Sequence, residues 1–140
     1  MDKKYKKRRI EIKKSRIRGA GLGVFAKRFI PNKTILGYYK GRSYFPKNMK
    51  SKDWDLLDNS DYVMAIYDSD GDIYKYIDSS GVNKKYSNWT RNINGIKKKS
   101  QEKKQNVRFI QKRARVAIET IKDIPIGTEL IIDYGDEYLW

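Results

Sequence analysis

Few groups in this 140-residue chain can do chemistry, because it contains no histidine and no cysteine. Serine–histidine and cysteine–histidine nucleophile pairs are therefore excluded, and so are thiolate metal sites. The strongest candidate is Tyr134, in the C-terminal segment Glu129-Leu-Ile-Ile-Asp-Tyr-Gly135. The backbone of a tyrosine at a strand end beside a glycine turn is fixed, so its hydroxyl can be held in one direction. The segment predicts chemistry that uses an oriented hydroxyl, and a plain edge strand is the alternative.

Three weaker patterns precede this segment. Gly19, Gly21 and Gly23 alternate before a predicted strand, where they serve either a tight turn or the close approach of a ligand to the backbone. Tyr39-Lys-Gly41 is a strand end with a glycine. Arg91-Asn-Ile-Asn94 carries two asparagines that either cap a turn or bind a polar ligand. Any metal would need oxygen ligands, and no calcium-loop spacing is complete, so we expect no metal site.

Short strands must position these residues. A hairpin is expected around Asp68-Ser-Asp-Gly-Asp72, because Asp-Gly supplies the positive φ angles of a tight turn. A short helix is expected around Trp54–Leu57, a helical turn over residues 86–94, an irregular polar segment over 42–60, and an exposed loop over 95–104. Predicted strands cover residues 8–14, 24–30, 34–39, 62–67, 73–77, 106–110, 115–119 and 130–132.

Length and composition place limits on the protein class. The 140 residues suit one domain, which we expect to fold without disulfides. No apolar run approaches the roughly 18 residues of a membrane helix. We therefore predict a soluble, intracellular protein without a membrane segment.

The charge is strongly positive and uneven. The formal net charge is +15, and residues 1–16 and 97–115 each carry nine basic side chains. Residues 53–78 instead carry eight aspartates against Lys75 alone. Basic clusters attract phosphate backbones, and an acidic segment suits a cationic peptide. The pattern predicts DNA or nucleosome contact together with binding of a basic protein, and solvated loops are the alternative.

The order of these segments resembles that of the SET domain, the lysine methyltransferase fold. The matching pieces are Gly21-Leu-Gly-Val-Phe-Ala26, Tyr39-Lys-Gly41, Arg91-Asn-Ile-Asn94 and Glu129-Leu-Ile-Ile-Asp-Tyr-Gly135. The PR subgroup is the most similar, on the cues Tyr76-Ile-Asp78, Ser87-Asn-Trp-Thr-Arg91, Gln105-Asn106 and Tyr134-Gly-Asp-Glu-Tyr138.

The resemblance implies a mostly β fold of small sheets around a knot-like C-terminal crossing, with few short helices. Residues 1–140 would form a single SET domain, with residues 1–9 as a basic extension and with no pre-SET or zinc-bound post-SET region. It also implies S-adenosylmethionine (SAM) as the methyl donor.

The resemblance further implies the site residues, with Tyr134 as the catalytic group and Trp140 over the adenine of the cofactor. Residues 59–65 would form the strand beside which the substrate peptide lies, and Tyr39 and Tyr76 are alternatives for a second hydroxyl or a channel wall. The implied cofactor-binding residues are Ala20, Gly21, Leu22, Gly23, Tyr62, Arg91, Asn94, Gly95 and Trp140. The implied substrate-binding residues are Tyr39, Asp61, Tyr62, Val63, Met64, Tyr76 and Ile132.

Methyl transfer from a sulfonium to an amine suits a chain without histidine or cysteine, because it needs alignment and a neutral amine but no metal. A free lysine has a pKa of about 10.4, so its neutral form costs about 4.6 kcal/mol at pH 7. Desolvation in an aromatic channel lowers that pKa, and cation–π contact favours lysine there. Tyr134 would orient the reacting groups and support the transition state.

The chain departs from the family pattern at three places. Most SET domains have Asn-His-Ser where this chain has Asn94-Gly95-Ile96, although the PR subgroup also lacks that histidine. Many relatives have Phe or Tyr in place of Ile132, a choice that influences how many methyl groups are added. No cysteine cluster follows Trp140, so residues 136–140 or a partner subunit, as in a homodimer, must close the site. Compact SET proteins of this kind are known from large DNA viruses.

The sequence thus predicts a SAM-dependent protein-lysine N-methyltransferase that acts on histone, in the nucleus or on chromatin, or in a viral factory if the protein is viral. Two alternatives stay open. One is an inactive SET-like module that binds nucleic acid or chromatin, and the other is a methyltransferase of a non-histone protein.

Overall fold

A computed structural model describes residues 9–60, 62–96 and 99–134. Strands make up most of the regular structure in this part of the chain, which confirms the predicted mostly β fold. The helical segments are α1 (Ser51–Asp58) and the 3₁₀ helices Pro46–Asn48, Gly81–Tyr86, Trp89–Asn92 and Lys99–Lys104. The strands are β1 (Ile10–Lys14), β2 (Leu22–Ala26), β3 (Ile35–Tyr38), β4 (Arg42–Tyr44), β5 (Val63–Tyr67), β6 (Ile73–Asp78), β7 (Asn94–Gly95), β8 (Val107–Lys112), β9 (Arg115–Thr120) and β10 (Ile131–Ile132).

The predicted hairpin is confirmed as β5–β6. In its turn, the Asp68 carboxylate accepts hydrogen bonds from the backbone N–H groups of Asp70 (2.9 Å) and Asp72 (3.0 Å). Gly71 has a φ of +86°, a conformation that glycine adopts without strain. The predicted short helix is also confirmed, as α1. Its first turn is closed by the Lys50 N–H, which donates to the Asp53 carboxylate at 2.9 Å.

Two predictions about irregular segments are wrong. Residues 42–60 include strand β4, which pairs with β6 although its sequence, Arg-Ser-Tyr, has no apolar alternation. A polar edge strand gains its order from its partner, so its own sequence carries little signal. Residues 95–104, expected to be a loop, include the 3₁₀ helix Lys99–Lys104.

The chain divides into two compact units, each assembled from separate stretches of sequence. Among the described residues, the first unit comprises residues 9–37, 92–96, 99–110 and 117–134. The second unit comprises residues 38–60, 62–91 and 111–116. The single SET domain over residues 1–140 stays a prediction.

The first unit places the C-terminal strand between two earlier ones. A five-stranded sheet has the order β3-β9-β8-β10-β7, and β10 runs parallel to both β7 and β8. Insertion of the last strand between two strands that precede it in sequence matches the predicted crossing. The largest buried side chains of this unit are apolar and close the core around β10: Phe25, Ile30, Ile93, Ile118, Ile124, Leu130 and Ile132.

A buried amide fixes the register of this crossing. Asn106 is 4% exposed, and its side chain donates to the Glu129 carbonyl (2.9 Å) and accepts from the Ile131 N–H (2.8 Å). A side-chain amide that satisfies a backbone donor and acceptor takes the place of a paired strand residue. Asn106 therefore holds the start of β10, although the sequence singled it out only as a subgroup cue.

The second unit is a three-stranded antiparallel sheet, in the order β4-β6-β5, covered by α1. Tyr44, Leu57 and Val63 form its core, against which Met49, Leu56 and Tyr76 pack. α1 therefore lies over the sheet face that carries Tyr76.

A fully buried carboxylate lies at the end of β6. Asp78 accepts hydrogen bonds from Ser60 Oγ (2.6 Å), Ser80 Oγ (3.0 Å) and Asn83 Nδ2 (2.9 Å). Buried charge is tolerated when it is fully hydrogen bonded. This network joins Ser60 to the end of β6 and to the 3₁₀ helix Gly81–Tyr86 that follows it.

No helix in the described part of the chain is long and apolar enough to cross a membrane.

Candidate active site

Tyr134 lies at the end of the inserted strand, in the first unit. Its hydroxyl donates a hydrogen bond to the Ile93 carbonyl at 2.5 Å. Its half-buried ring lies against Phe109, with 5.4 Å between the ring centroids and 53° between the planes. The C-terminal tyrosine is therefore oriented at both its ring and its hydroxyl.

Gly95 makes room for this tyrosine. A Cβ atom at position 95 would lie 2.4 Å from Cδ2 of Tyr134, closer than any non-bonded carbon contact. The glycine in place of the family's histidine thus lies directly under the ring. Ile132 is fully buried and pairs with Gly95 in the parallel ladder between β10 and β7.

Asn94 forms hydrogen bonds with both the glycine-rich loop, residues 15–23, and the C-terminal motif, residues 129–135. Its Nδ2 donates to the Leu22 carbonyl (3.0 Å) and to Glu129 Oε2 (2.9 Å). Glu129 also accepts from Ser15 Oγ at 2.8 Å. A Cβ at Gly23 would lie 2.3 Å from Glu129 Oε2, so only glycine lets this carboxylate reach both partners. The sequence places Glu129 in the C-terminal motif, but sequence analysis did not predict it as a site residue.

The glycine loop itself is a closed turn. The Ser15 N–H donates to the Gly21 carbonyl at 2.7 Å, and Gly19 and Gly21 have φ angles of +80° and +74°. Ala20 is half-buried, whereas the side chain of Leu22 is 55% exposed. The turn interpretation therefore holds for Gly19 and Gly21, whose exposed backbone also leaves room for a ligand, whereas Gly23 is buried in β2.

A cavity of about 590 Å³ opens beside these residues in the first unit. This volume lies within the range of small-molecule sites, about 300–1,000 Å³. Gly95 and Glu129 line it, and five basic side chains come from the glycine loop, the Lys99–Lys104 helix and Lys122. Sequence reasoning missed most of its wall, because the contributing positions lie far apart in the chain. The lining residues are Arg16, Ile17, Arg18, Gly95, Ile96, Lys103, Lys104, Asn106, Lys122, Asp123, Ile124, Pro125, Thr128, Glu129 and Ile131.

The second unit brings together Tyr39, Tyr62 and Arg91. The hydroxyl of the buried Tyr39 donates to the Tyr62 carbonyl at 2.7 Å. The Arg91 guanidinium lies over the Tyr62 ring, 4.7 Å from its centroid, and its Nε donates to the Ser79 carbonyl at 3.2 Å. These contacts hold the start of β5 and orient the Tyr62 ring.

The outer edge of β5 is open over two residues. The Ser79 N–H donates to the Tyr62 carbonyl (3.1 Å), so the backbone groups of Val63 and Ala65 point away from β6 in the alternating antiparallel pattern. No hydrogen bond among the described residues reaches them on that edge. Met64 is buried.

This open edge ends at Tyr67. There the side chain of Gln111 accepts from the Tyr67 N–H (2.9 Å) and donates to its carbonyl (2.7 Å). The amide occupies the position that a pairing strand would take. Sequence reasoning missed Gln111, and no local signal marks it.

Tyr76 lies on the α1 side of the sheet of the second unit, where burial raises the pKa of its phenol and nearby Tyr67 and Asp58 raise it further. Two predicted site residues, Asp61 and Trp140, lie outside the described residues. Within the described ranges, no group of three or more acidic side chains could hold a metal ion.

The chain is similar to proteins of one family along nearly its whole length. A family profile described as PR domain zinc finger protein 2, PR domain, matches residues 10–140. Histone-lysine N-methyltransferase set-17 of Caenorhabditis elegans is 36% identical over 127 residues, which are 91% of this chain and 41% of the relative. Putative histone-lysine N-methyltransferase PRDM6 of Homo sapiens is 29% identical over 124 residues, which are 89% of this chain and 20% of the relative. The chain thus spans less than half the length of these relatives.

Solved structures share the fold. The methyltransferase domain of human PR domain-containing protein 2 superposes with a TM-score of 0.65 at 22% identity, over 89% of this chain and 76% of that one. The SET domain of ATXR5, in complex with histone H3 dimethylated on R26, superposes with a TM-score of 0.70 at 22% identity, over 91% of this chain and 58% of that one.

Proposed function

The chain belongs to the PR domain family of SET-like proteins, and we propose that it is a SAM-dependent protein-lysine N-methyltransferase that acts on histone. The observation that carries the proposal is the position of Tyr134. Its ring lies over Gly95, and its hydroxyl is bound to the Ile93 carbonyl, next to Asn94 and the 590 Å³ cavity. Relatives named as histone-lysine methyltransferases support the same activity class.

The residues of the first unit fit the cofactor. Bound SAM supplies an electrophilic methyl group on a sulfonium. The cavity offers apolar walls for an adenine from Ile17, Ile96 and Ile131, and the two donors of the Asn94 amide are already used, which leaves its oxygen as an acceptor for an ammonium. Gly21 and Leu22, which are exposed, and the neighbouring Ala20 and Gly23, with Tyr62, Arg91 and Trp140, complete the proposed cofactor set.

Tyr134 acts through its oxygen. Because its proton is donated to the Ile93 carbonyl, the lone pairs of the phenol face the remaining directions. An oxygen held in this way accepts a hydrogen bond from the substrate amine and orients its lone pair. It also stabilises positive charge that is shared between donor and acceptor in the transition state. Such a role requires no proton uptake by the tyrosine.

The substrate peptide pairs with the open edge of β5. Val63 and Ala65 present their backbone groups there, so an extended segment of the substrate adds as a further strand. Tyr39 holds the preceding carbonyl of Tyr62, which fixes the start of this edge. Asp61, Met64, Tyr76 and Ile132 remain in the proposed substrate set.

Charge supports a histone substrate on chromatin. The aspartates between residues 53 and 78, apart from the buried Asp78, attract a basic tail, and the basic clusters attract DNA. ATXR5, which shares the fold, was solved with histone H3. Localisation in the nucleus or on chromatin follows from this proposal. The homodimer and the viral origin stay predictions.

Transfer of labelled methyl groups to nucleosomes tests the proposal. We expect Tyr134→Phe to lower kcat by about 100-fold, the scale of one lost polar group in a transition state, while SAM binds normally in calorimetry. Tyr86→Phe removes an exposed hydroxyl and serves as the matched control. Equal activity of the Tyr134→Phe variant and wild type would refute the role of Tyr134.

A second function, an inactive module that binds nucleic acid, is favoured by the five basic side chains that line the cavity. Calorimetry separates the two functions, since the module predicts no SAM binding together with salt-sensitive DNA binding. A non-histone target is the remaining alternative. SAM binding and methylation of a peptide array, without methylation of free or nucleosomal histones, would identify it.

A further inference from the structure

Trp54 and Asp58 form an exposed corner with Tyr76 in the second unit, and of these three residues only Tyr76 has a role in the reaction described above. Trp54 and Asp58 lie four residues apart on α1, so their side chains share one face of the helix. The Trp54 indole is 39% exposed and meets the Tyr76 ring edge to face, with 5.8 Å between the centroids and 79° between the planes. Two aromatic rings at nearly a right angle form two walls of an open corner.

A carboxylate completes this corner. Asp58 is exposed, and no described residue forms a hydrogen bond or ion pair with its side chain. Burial raises the pKa of the Tyr76 phenol most, and the Tyr67 phenol and the charge of Asp58 raise that pKa further. Tyr67 lies two residues beyond Ala65, the cross-strand partner of Tyr76. The corner thus combines aromatic faces with an unpaired negative charge.

This combination selects a cation. The faces of Trp and Tyr attract a guanidinium or ammonium group, and a carboxylate adds charge-assisted hydrogen bonds. A structural role explains the packing of Trp54 on the sheet, but it does not explain the exposure of its ring beside an unpaired carboxylate.

We propose that Trp54, Tyr76 and Asp58 form a binding site for a basic side chain of the substrate other than the lysine that is methylated. The inference rests on the proposed function and refines it, because it makes a flanking arginine or lysine part of the recognition sequence. Since β5 pairs with β6, the corner belongs to the same sheet as the open edge of Val63 and Ala65, and it acts on the same peptide.

Steady-state kinetics with a peptide series test the proposal. The parent peptide contains one target lysine and several flanking basic residues, and each flanking residue is replaced by alanine in turn. We expect Asp58→Asn and Trp54→Leu to raise KM for the parent by about 3- to 10-fold, the scale of one partly exposed cation–π contact with its carboxylate. We expect kcat to stay unchanged, and one alanine peptide to show no further loss with either variant.

Asp55→Asn is the matched control, because it removes the same charge from the same helix without touching the corner. Its KM is expected to stay within about 2-fold of wild type, as for a screened surface charge. Equal effects of Asp55→Asn and Asp58→Asn would overturn the proposal, since they would reflect only long-range attraction. A loss that persists for every alanine peptide would also overturn it.

A binding measurement separates this site from the enzymatic function. Titration with N-acetyl-arginine amide should shift the indole N–H resonance of Trp54, assigned as the signal that disappears in Trp54→Leu, and Asp58→Asn should reduce the shift. N-acetyl-glycine amide should leave the resonance in place. If the resonance shifts but no methyl group is transferred, the binding site is supported and the proposed function fails. If the protein methylates peptides but the resonance does not shift, the binding site is overturned and the proposed function stands.

Discussion

At the scale of residues, Gly95 decides where Tyr134 can lie. The position is occupied by histidine in most SET domains, and here its missing side chain leaves the space that the tyrosine ring fills. Because Gly95 lies in the strand that pairs with Ile132, the backbone cannot shift to accept a Cβ without disturbing the crossing. The space left by the missing side chain is thus filled by Tyr134, whose ring packs on Phe109.

We expect Gly95→Ala to lower kcat by about 100-fold, because the methyl group would displace the Tyr134 ring, and displacement of a reacting group by about 1 Å has an effect of that size. Labelled methyl transfer measures the loss, and the melting temperature by circular dichroism controls for unfolding. A folded variant with wild-type activity would contradict the placement of Tyr134.

Tyr76 gives a pH-dependent prediction. Its pKa is raised in the folded protein, first by burial and then by Tyr67 and Asp58. The folded state therefore holds the phenol proton more tightly than the unfolded state. The stabilisation is fully present below the unfolded pKa of about 10 and is lost as pH rises through the folded pKa.

Urea midpoints of wild type and Tyr76→Phe between pH 8 and pH 11 measure this effect. We expect the wild-type midpoint to fall relative to that of Tyr76→Phe above a pH of about 10, because phenylalanine has no proton to lose. Tyr86→Phe, at an exposed position, controls for general alkaline effects. A constant difference between wild type and Tyr76→Phe across this range would contradict the raised pKa.

At the scale of elements, β5 is an edge strand with a fixed end. Val63 and Ala65 offer open backbone groups, whereas Gln111 pairs with both backbone groups of Tyr67. Unpaired edges invite a further strand, and a side-chain amide at one point limits how far that strand extends. The length of substrate that pairs is thus set by a residue near the end of β8.

We expect Gln111→Ala to extend the paired segment of the substrate by freeing the edge at Tyr67. Peptides lengthened beyond this point should bind wild type no better than shorter ones, whereas their KM with Gln111→Ala should fall by about 3-fold, the effect of one added net hydrogen bond. Lys112→Ala changes an exposed neighbour and serves as the control. The same dependence on length in both proteins would contradict the stop at Gln111.

At the scale of the molecule, charge is separated along the chain. The acidic residues lie between positions 53 and 78 in the second unit, whereas five basic side chains surround the cavity of the first unit. With a net charge of +15, attraction to polyanions is expected to dominate the long-range field. Nucleosomes match both charged regions, because they present basic histone tails to the acidic residues and DNA to the basic ones.

DNA binding should therefore depend steeply on salt. We expect the slope of log K against log salt for a labelled duplex to decrease by up to about 2 in Lys103→Ala/Lys104→Ala, one unit for each lost phosphate contact. Lys47→Ala/Lys52→Ala removes the same charge from the second unit as a control. Fluorescence anisotropy between 50 and 200 mM salt is a suitable measurement, at roughly the range over which such contacts respond. Equal slopes for both double variants would place the DNA elsewhere.

Much of the fold could be predicted from local patterns. The Asp-Gly turn of the β5–β6 hairpin, the α1 segment and the strand of Ile131 and Ile132 each depend on neighbours in sequence, so periodicity and turn chemistry identify them. The order of the motifs, ending in Asp133-Tyr134, identified the family. Strand β4 was missed, because its pairing with β6 rather than its own residues gives it order.

The sequence by itself identified the family through the order of its motifs, and it excluded histidine and cysteine chemistry because the chain contains neither residue. Only the tertiary structure decided how the site is built. Ser15 and Glu129, which are 114 positions apart, share a hydrogen bond, and Gln111 ends an edge 44 positions away. Such contacts depend on which distant strands meet, as where β10 inserts between β7 and β8, and periodicity along a chain carries no information about those meetings.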